Sequence, residues 1–297
     1  MGTSRALGYK RVVVVGFHWV ALVFGLLVGS FLNVVIARVP AGESIAFPGS
    51  KCPKCQTPIA WYQNVPVLSW VALRGRCAAC KAPISFRYPI IEILTGTLFM
   101  ACAVRFGFSW ASLFAFAFAG GLVVITFVDI DIWEIPDEVS LPGILIGVLC
   151  RPLVFEVPWW SGLVGAALGA GALWTIRFTY EVLRGEEGMG LGDVKLIGMI
   201  GAFLGPGGLL PTIIIASFSG TIVGVVLILA GDGRAEADGA AAETEDGSPG
   251  EAASGEEAED EEEWTPPANA VPFGPFLALG GLTYLLMEPA IRRWLYL

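Results

Sequence analysis

The chain has 297 residues, 55% hydrophobic and only 15% charged, and its mean hydropathy of +0.69 excludes an ordinary soluble domain. Its net charge of −9 is unevenly spread: residues 231–265 hold 14 Asp and Glu against one Arg, leaving 17 basic and 13 acidic residues elsewhere. The low pI of about 4.7 therefore belongs to one hydrophilic segment, and nothing in the pattern points to nucleic acid as a partner.

Taken in order, the apolar runs predict an all-α polytopic membrane protein of about eight transmembrane helices. Val12–Ala37 comes first; it is too long for the apolar part of a secretory signal and lacks a small-residue cleavage site, so it is read as a retained span. His18, toward its outer end, is expected to pack at the interface. Pro89–Val104 with Glu92, Trp110–Val128, Val139–Phe155 and Trp159–Ile176 follow, then Leu196–Leu204, Leu209–Ala230 and Val271–Met287. Four of the eight carry no charge and approach the roughly 20 residues that cross a hydrocarbon core. Leu196–Leu204 is short and ends at Gly205-Pro206-Gly207-Gly208, so it is expected to form a hairpin or a broken helix with the next segment.

Starting outside, eight spans place loop 38–88, the stretch Asp129–Glu138, the stretch Tyr180–Lys195 and the acidic loop on one face, with 11 Lys and Arg against 7 on the other. The positive-inside bias makes that face cytoplasmic. The chain then divides into a first span (1–37), a cytoplasmic loop (38–88), a membrane core (89–230), an acidic loop (231–265) and a last span (266–297). The Ala, Gly, Glu and Asp composition of the acidic loop is that of a disordered connector.

Loop 38–88 carries Cys52-Pro53-Lys54-Cys55 and Cys77-Ala78-Ala79-Cys80, two C-x2-C pairs separated by 21 residues. Two tight turns offering two thiolates each to one tetrahedral ion make a zinc ribbon. Disulfides or a redox pair fit poorly with a basic loop in a reducing compartment. Four thiolates leave no position for water, so the metal would organise the loop and take no part in chemistry. Cys102 and Cys150 lie in apolar runs and read as packing residues.

The acidic residues outside the acidic loop are informative in their placement. Asp129 follows an uncharged run directly, and Asp193 stands in Gly188-Met189-Gly190-Leu191-Gly192-Asp193-Val194-Lys195, just before another apolar segment at the same face. Ionisable groups at the mouth of a membrane bundle are functional candidates. Two carboxylates brought together share a proton, one serving as base on water and the other as acid on a carbonyl, which is aspartic-protease chemistry. The competing reading is that these aspartates cap helices or mark solvated ends.

The motifs together resemble the type IV prepilin peptidases, bacterial inner-membrane aspartic proteases of the GxGD class, from about Leu27 to the C-terminus apart from the acidic loop. The resemblance rests on Gly29-Ser30-Phe31-Leu32-Asn33 with Arg38 and Pro40, the two cysteine pairs with Asn64-Val65-Pro66, and Arg87-Tyr88-Pro89 with Glu92. It rests also on Asp129 with Ile135-Pro136-Asp137, on Gly188–Lys195 and on Pro272-Phe273-Gly274-Pro275. It implies that Asp129 and Asp193 are the catalytic pair and that Asp131, Asp137, Gly190, Gly192 and Lys195 support the site. It implies prepilin or pseudopilin substrates cleaved at the cytoplasmic face of the bacterial inner membrane. It implies also methylation of the new N-terminus from S-adenosylmethionine, for which no dinucleotide-type glycine fingerprint is present and no donor-binding residue is assigned. The acidic loop departs from the family pattern. The rival class is a non-catalytic transporter or assembly scaffold with a zinc-ribbon loop.

Overall fold

The computed structural model describes residues 3–185, 190–231 and 271–295. Most of the acidic loop, together with Gly188 and Met189 of the glycine motif, lies outside the described residues. Nine α-helices occur among those described: α1 Thr3–Arg38, α2 Leu68–Ala72, α3 Arg87–Phe106, α4 Trp110–Ile132, α5 Asp137–Phe155, α6 Ser161–Arg184, α7 Leu191–Leu204, α8 Pro206–Gly231 and α9 Gly274–Leu295. Seven are long and apolar enough to cross a membrane, all but α2 and α7. Among the described residues the only extended pairing is two isolated bridges in the cysteine loop, Lys51 with Pro58 and Arg76 with Pro83.

Helix boundaries follow local chemistry. Gly107 and Gly185 end α3 and α6 at positive φ and return an N–H to the preceding turn, Gly185 to Glu181 at 2.8 Å. Pro136 precedes α5, whose first turn carries Asp137 and Glu138 where the helix dipole favours negative charge. The helix α4 runs past the uncharged stretch to Ile132, so Asp129 lies within its last turn and not beyond its end. Trp133 then closes it in the left-handed region, giving its N–H to the Asp129 carbonyl.

Small residues let the helices approach closely. A Cβ at Gly25 would lie 2.8 Å from the Gly96 Cα, and one at Gly29 would lie 2.7 Å from the Glu92 Cα, so α1 and α3 pack as an antiparallel pair. The same kind of seam joins α6 to α7, where a Cβ at Gly169 would lie 2.7 Å from the Ile197 carbonyl oxygen and Gly165 abuts Gly201. Phe99 stacks on Phe116 at 4.3 Å to fix α3 against α4, and Phe114 and Phe118 of α4 meet Phe203 of α7 at 4.5 and 4.7 Å. Helices α8 and α9 run antiparallel, with Gly208 against Tyr284 and Gly220 against Phe276.

The short helix α7 sits at the centre of this assembly. Its 14 residues reach about 21 Å at 1.5 Å per residue, short of the roughly 30 Å of a hydrocarbon core. Ten of them, running to Leu204, are buried by neighbouring helices, so its C-terminal end meets protein and not lipid, the condition under which a broken span is tolerated. At Gly205, φ 74°, the chain reverses: Leu209 returns to within contact of Gly201, and α8 runs back alongside. The expected hairpin is thus what forms, and the eighth span is only partial.

Candidate active site

Asp129 is 5% exposed, although it stands at the end of a membrane helix. Its Oδ2 accepts the backbone N–H of Gly274 at 3.0 Å, which ties the end of α4 to the start of α9. A Cβ at Gly274 would collide with Oδ2 and lie 3.1 Å from Cγ, so only glycine permits this approach.

Asp193 occupies the first turn of α7, half-buried, on a segment that packs close to the one carrying Asp129. Ile135 connects the two segments. A Cβ at Gly192 would lie 3.0 Å from the Ile135 Cβ, and one at Gly274 would lie 3.5 Å from the Ile135 Cδ1. The last turn of α4, the Trp133–Pro136 connection, the first turn of α7 and the first residue of α9 therefore converge at one end of the bundle.

Two further aspartates of this region form ion pairs. Asp137 meets Lys195 at 2.6 Å, which joins α5 to the turn that carries Asp193. Asp131 receives both Arg87 Nη atoms, at 2.7 and 2.6 Å, and Arg87 also donates to the Phe127 carbonyl at 3.1 Å and lies over the Phe127 ring. The fork of the guanidinium suits a bidentate carboxylate, and the pair fastens the start of α3 to the end of α4. Gly190 is the exposed N-cap of α7 and meets nothing closer than 3.9 Å, whereas Gly192 is pressed on Ile135.

The cysteine loop brings its four sulfurs within 4.8 Å of one another, with Cys52 Sγ and Cys80 Sγ 3.9 Å apart. A tetrahedral ion with Zn–S bonds of about 2.3 Å needs sulfurs roughly 3.8 Å apart, so the cluster fits zinc. Each pair sits on the same kind of turn: Gln56 N–H bonds the Cys52 carbonyl and Lys81 N–H the Cys77 carbonyl, with Gln56 and Lys81 both at positive φ. The Thr57 hydroxyl, 3.2 Å from Cys55 Sγ, holds that thiol down to about 6, with the Thr57 backbone helping. The backbones of Cys80 and Ala79 lower Cys77. Cys80 goes up to about 11, because the help of Ala82 is outweighed by burial and the three crowding thiols. A set of sulfurs this close is relieved by a divalent cation.

Beneath this loop, Val67 stands at φ 60°, ψ −49°, and Leu68 N–H bonds the Pro66 carbonyl at 2.5 Å. This is a γ-turn of the rare hand, which costs on the order of 1–3 kcal/mol for a non-glycine residue. The Val67 N–H is taken by Glu92 Oε2 at 2.7 Å.

Residues 23–106 match the bacterial peptidase A24 N-terminal domain, and residues 116–225 match the type IV leader peptidase family. The prepilin leader peptidase/N-methyltransferase of Myxococcus xanthus is 40% identical over 91% of this chain and 90% of its own length. The chain belongs to the type IV leader peptidase family. Relatives of the same name from Neisseria gonorrhoeae and Aeromonas hydrophila are 41% and 33% identical, covering 71% and 94% of this chain and 82% and 95% of their own. No solved structure matches the chain.

Within this leader peptidase, several residues at the site escape a reading of the sequence. Gly274 contributes a backbone N–H, and its motif was the only available signal. Ile135 touches both glycine segments, and only its place beside Pro136-Asp137 marked it. The loop also carries an internal repeat, Lys51-Cys52-x-x-Cys55-x-x-Pro58-Ile59 and Arg76-Cys77-x-x-Cys80-x-x-Pro83-Ile84. That repeat would have predicted two equivalent turns, each closed by a backbone bond, Ile59 N–H to the Ser50 carbonyl in one and Ile84 N–H to the Gly75 carbonyl in the other.

Proposed function

We propose that the chain is a membrane-embedded aspartic endopeptidase that removes the basic leader of type IV prepilins or pseudopilins, with Asp129 and Asp193 as its catalytic pair. The observation that supports the reading is the convergence of the segments carrying Asp129 and Asp193: Gly274 bonds the buried Asp129, and Ile135 lies against both Gly274 and Gly192, the neighbour of Asp193. Two carboxylates brought together at such a site share one proton between them. The ionised one takes a proton from water as its oxygen attacks the scissile carbonyl, and the protonated one gives its proton to the carbonyl oxygen. Collapse of the tetrahedral diol breaks the C–N bond, and the leaving amine takes up a proton. Asp137–Lys195 and Arg87–Asp131 act on this pair by holding its segments in place.

The same enzyme methylates the new N-terminus. S-adenosylmethionine supplies the methyl group as cosubstrate: the amine lone pair forms the N–C bond, the sulfonium leaves as a neutral thioether, and the amine sheds a proton. Cys52, Cys55, Cys77 and Cys80 would hold one structural zinc, and with no open coordination position that zinc shapes the loop only. The basic bias of the face carrying loop 38–88 supports a site on the cytoplasmic side of the inner membrane. Purified full-length protein incubated with a prepilin and S-adenosylmethionine tests the reading: a shortened product with a free, then methylated, N-terminus is expected. An intact prepilin after prolonged incubation with folded protein would overturn it.

A further inference from the structure

Glu92 is a buried carboxylate for which the cleavage chemistry has no use. It lies on α3, 7% exposed, in the seam where Gly29 of α1 presses on its Cα. Its one reach out of the membrane helices is upward, to the N–H of Val67. That N–H belongs to the centre of the strained γ-turn, a conformation to which a β-branched residue is poorly suited.

The turn is the start of α2. Between α2 and the 3-10 turn Trp61–Asn64 runs a groove walled by Tyr62, Val65, Leu68 and Leu73, with Gln63 and Ser69 as its polar members. Val65 and Leu68 flank the γ-turn, so the conformation of Val67 fixes how the two sides of the groove face each other. The cleavage residues occupy α4, α7 and the start of α9, and α3 is tied to them through Arg87 and Asp131, not through this turn. A second chemistry must therefore draw on residues outside that cluster, and this groove lies in the N-terminal module that carries the zinc-fitting cysteines.

We infer that Glu92 is a positioning residue for methyl transfer: its carboxylate, anchored between α1 and α3, holds Val67 in the γ-turn and so keeps the groove of the cysteine loop in its working shape. The inference rests on the methylating activity assigned above. A charged acceptor bonds an N–H more strongly than a neutral one, and burial keeps water from competing for it. Without it Val67 is free to return to negative φ, which turns Val65 and Leu68 away from each other. The aspartates do not move.

The test uses full-length protein, one prepilin and S-adenosylmethionine, with cleavage, methylation and bound zinc measured on the same samples. Glu92→Ala should lower the methylation rate about 10- to 100-fold, the scale of a misplaced reacting geometry. Cleavage should stay within about twofold, as expected for a separate site, and zinc content should not change. Glu92→Gln keeps an acceptor oxygen and should remain within about threefold of wild type in methylation. Val67→Gly, which takes up positive φ without strain, should restore much of the methylation lost in Glu92→Ala. Wild-type methylation in Glu92→Ala, equal loss of cleavage, or failure of both Glu92→Gln and the Val67→Gly suppressor would overturn the inference. A wild-type enzyme that cleaves and never methylates would overturn the assigned second activity, and the inference with it.

Discussion

Gly274 donates its backbone N–H to the Asp129 carboxylate at 3.0 Å, across 145 residues of chain. The bond orients one oxygen of a buried acid while leaving the other for substrate, and the absence of a side chain at 274 is what permits it. Gly274→Ala should therefore lower kcat for prepilin cleavage about 10- to 100-fold with little change in KM, since the displaced group is the acid itself. Gly224→Ala, whose added methyl meets open space on α8, should cleave as wild type does. Steady-state kinetics on the two variants decide it; an unaltered kcat in Gly274→Ala would remove the bond from any account of catalysis.

Asp129 and Asp193 act as one unit in the proposed chemistry, so their substitutions should not add. Asp129→Asn and Asp193→Asn should each lower turnover by about a thousandfold or more, and the double variant should be scarcely slower than either. Each Asn variant keeps the size of the side chain, so thermal melts in detergent should stay near wild type. Appreciable cleavage by either folded single variant would exclude that residue from the pair.

The spans were legible because a run of about 20 uncharged residues has few other uses. The partial span was not, because whether 14 residues suffice depends on what covers their ends, and the covering residues come from α5 and α6. Asp129, Asp131 and Asp137 look alike in the sequence, three aspartates within nine positions. The fold separates them: Asp129 faces inward to Gly274, while Asp131 and Asp137 are neutralised by Arg87 and Lys195. The cysteine spacing disclosed a metal-type cluster directly, since four thiols in that pattern leave few geometries. The γ-turn at Val67 was hidden, because no local preference of valine predicts positive φ and the group that imposes it is 25 residues away.

Metal removal should separate the two activities. Wild-type protein should carry about one zinc per chain, and Cys52→Ser or Cys77→Ser should lose it, because each turn supplies half of the ligand set. Loss of the ion disorders the loop and should lower methylation at least tenfold, as for other displaced reacting geometries. Cleavage should fall less, the segments that carry the aspartates being held by the Gly274–Asp129 bond, by Ile135 against Gly192 and by Lys195–Asp137, none of which involves a cysteine. Elemental analysis and parallel assays read both halves; a metal-free wild type refutes the site, and equal loss of both activities refutes the separation.

Arg151 is the group that lets α7 end inside the bundle. Its Nη1 donates to the Phe203 carbonyl at 2.6 Å and its Nε to Ser161 Oγ at 3.1 Å, and its guanidinium stacks 5.7 Å from the Phe155 ring. A cation at a helix C-terminus also opposes the negative end of the helix dipole. Truncation to Met leaves a buried carbonyl poorly satisfied, at about 1–3 kcal/mol. The melting temperature should drop by several degrees on the roughly 2–4 °C per kcal/mol scale of larger domains. Lysine carries the charge but not the planar fork, so Arg151→Lys should recover only part of the loss. Because α7 carries Asp193 at its other end, cleavage should weaken along with the melt while zinc content and the cysteine loop stay intact. A thermal melt of Arg151→Met indistinguishable from wild type would show that α7 is held by its packing against α4, α5 and α6 without the Arg151 bonds.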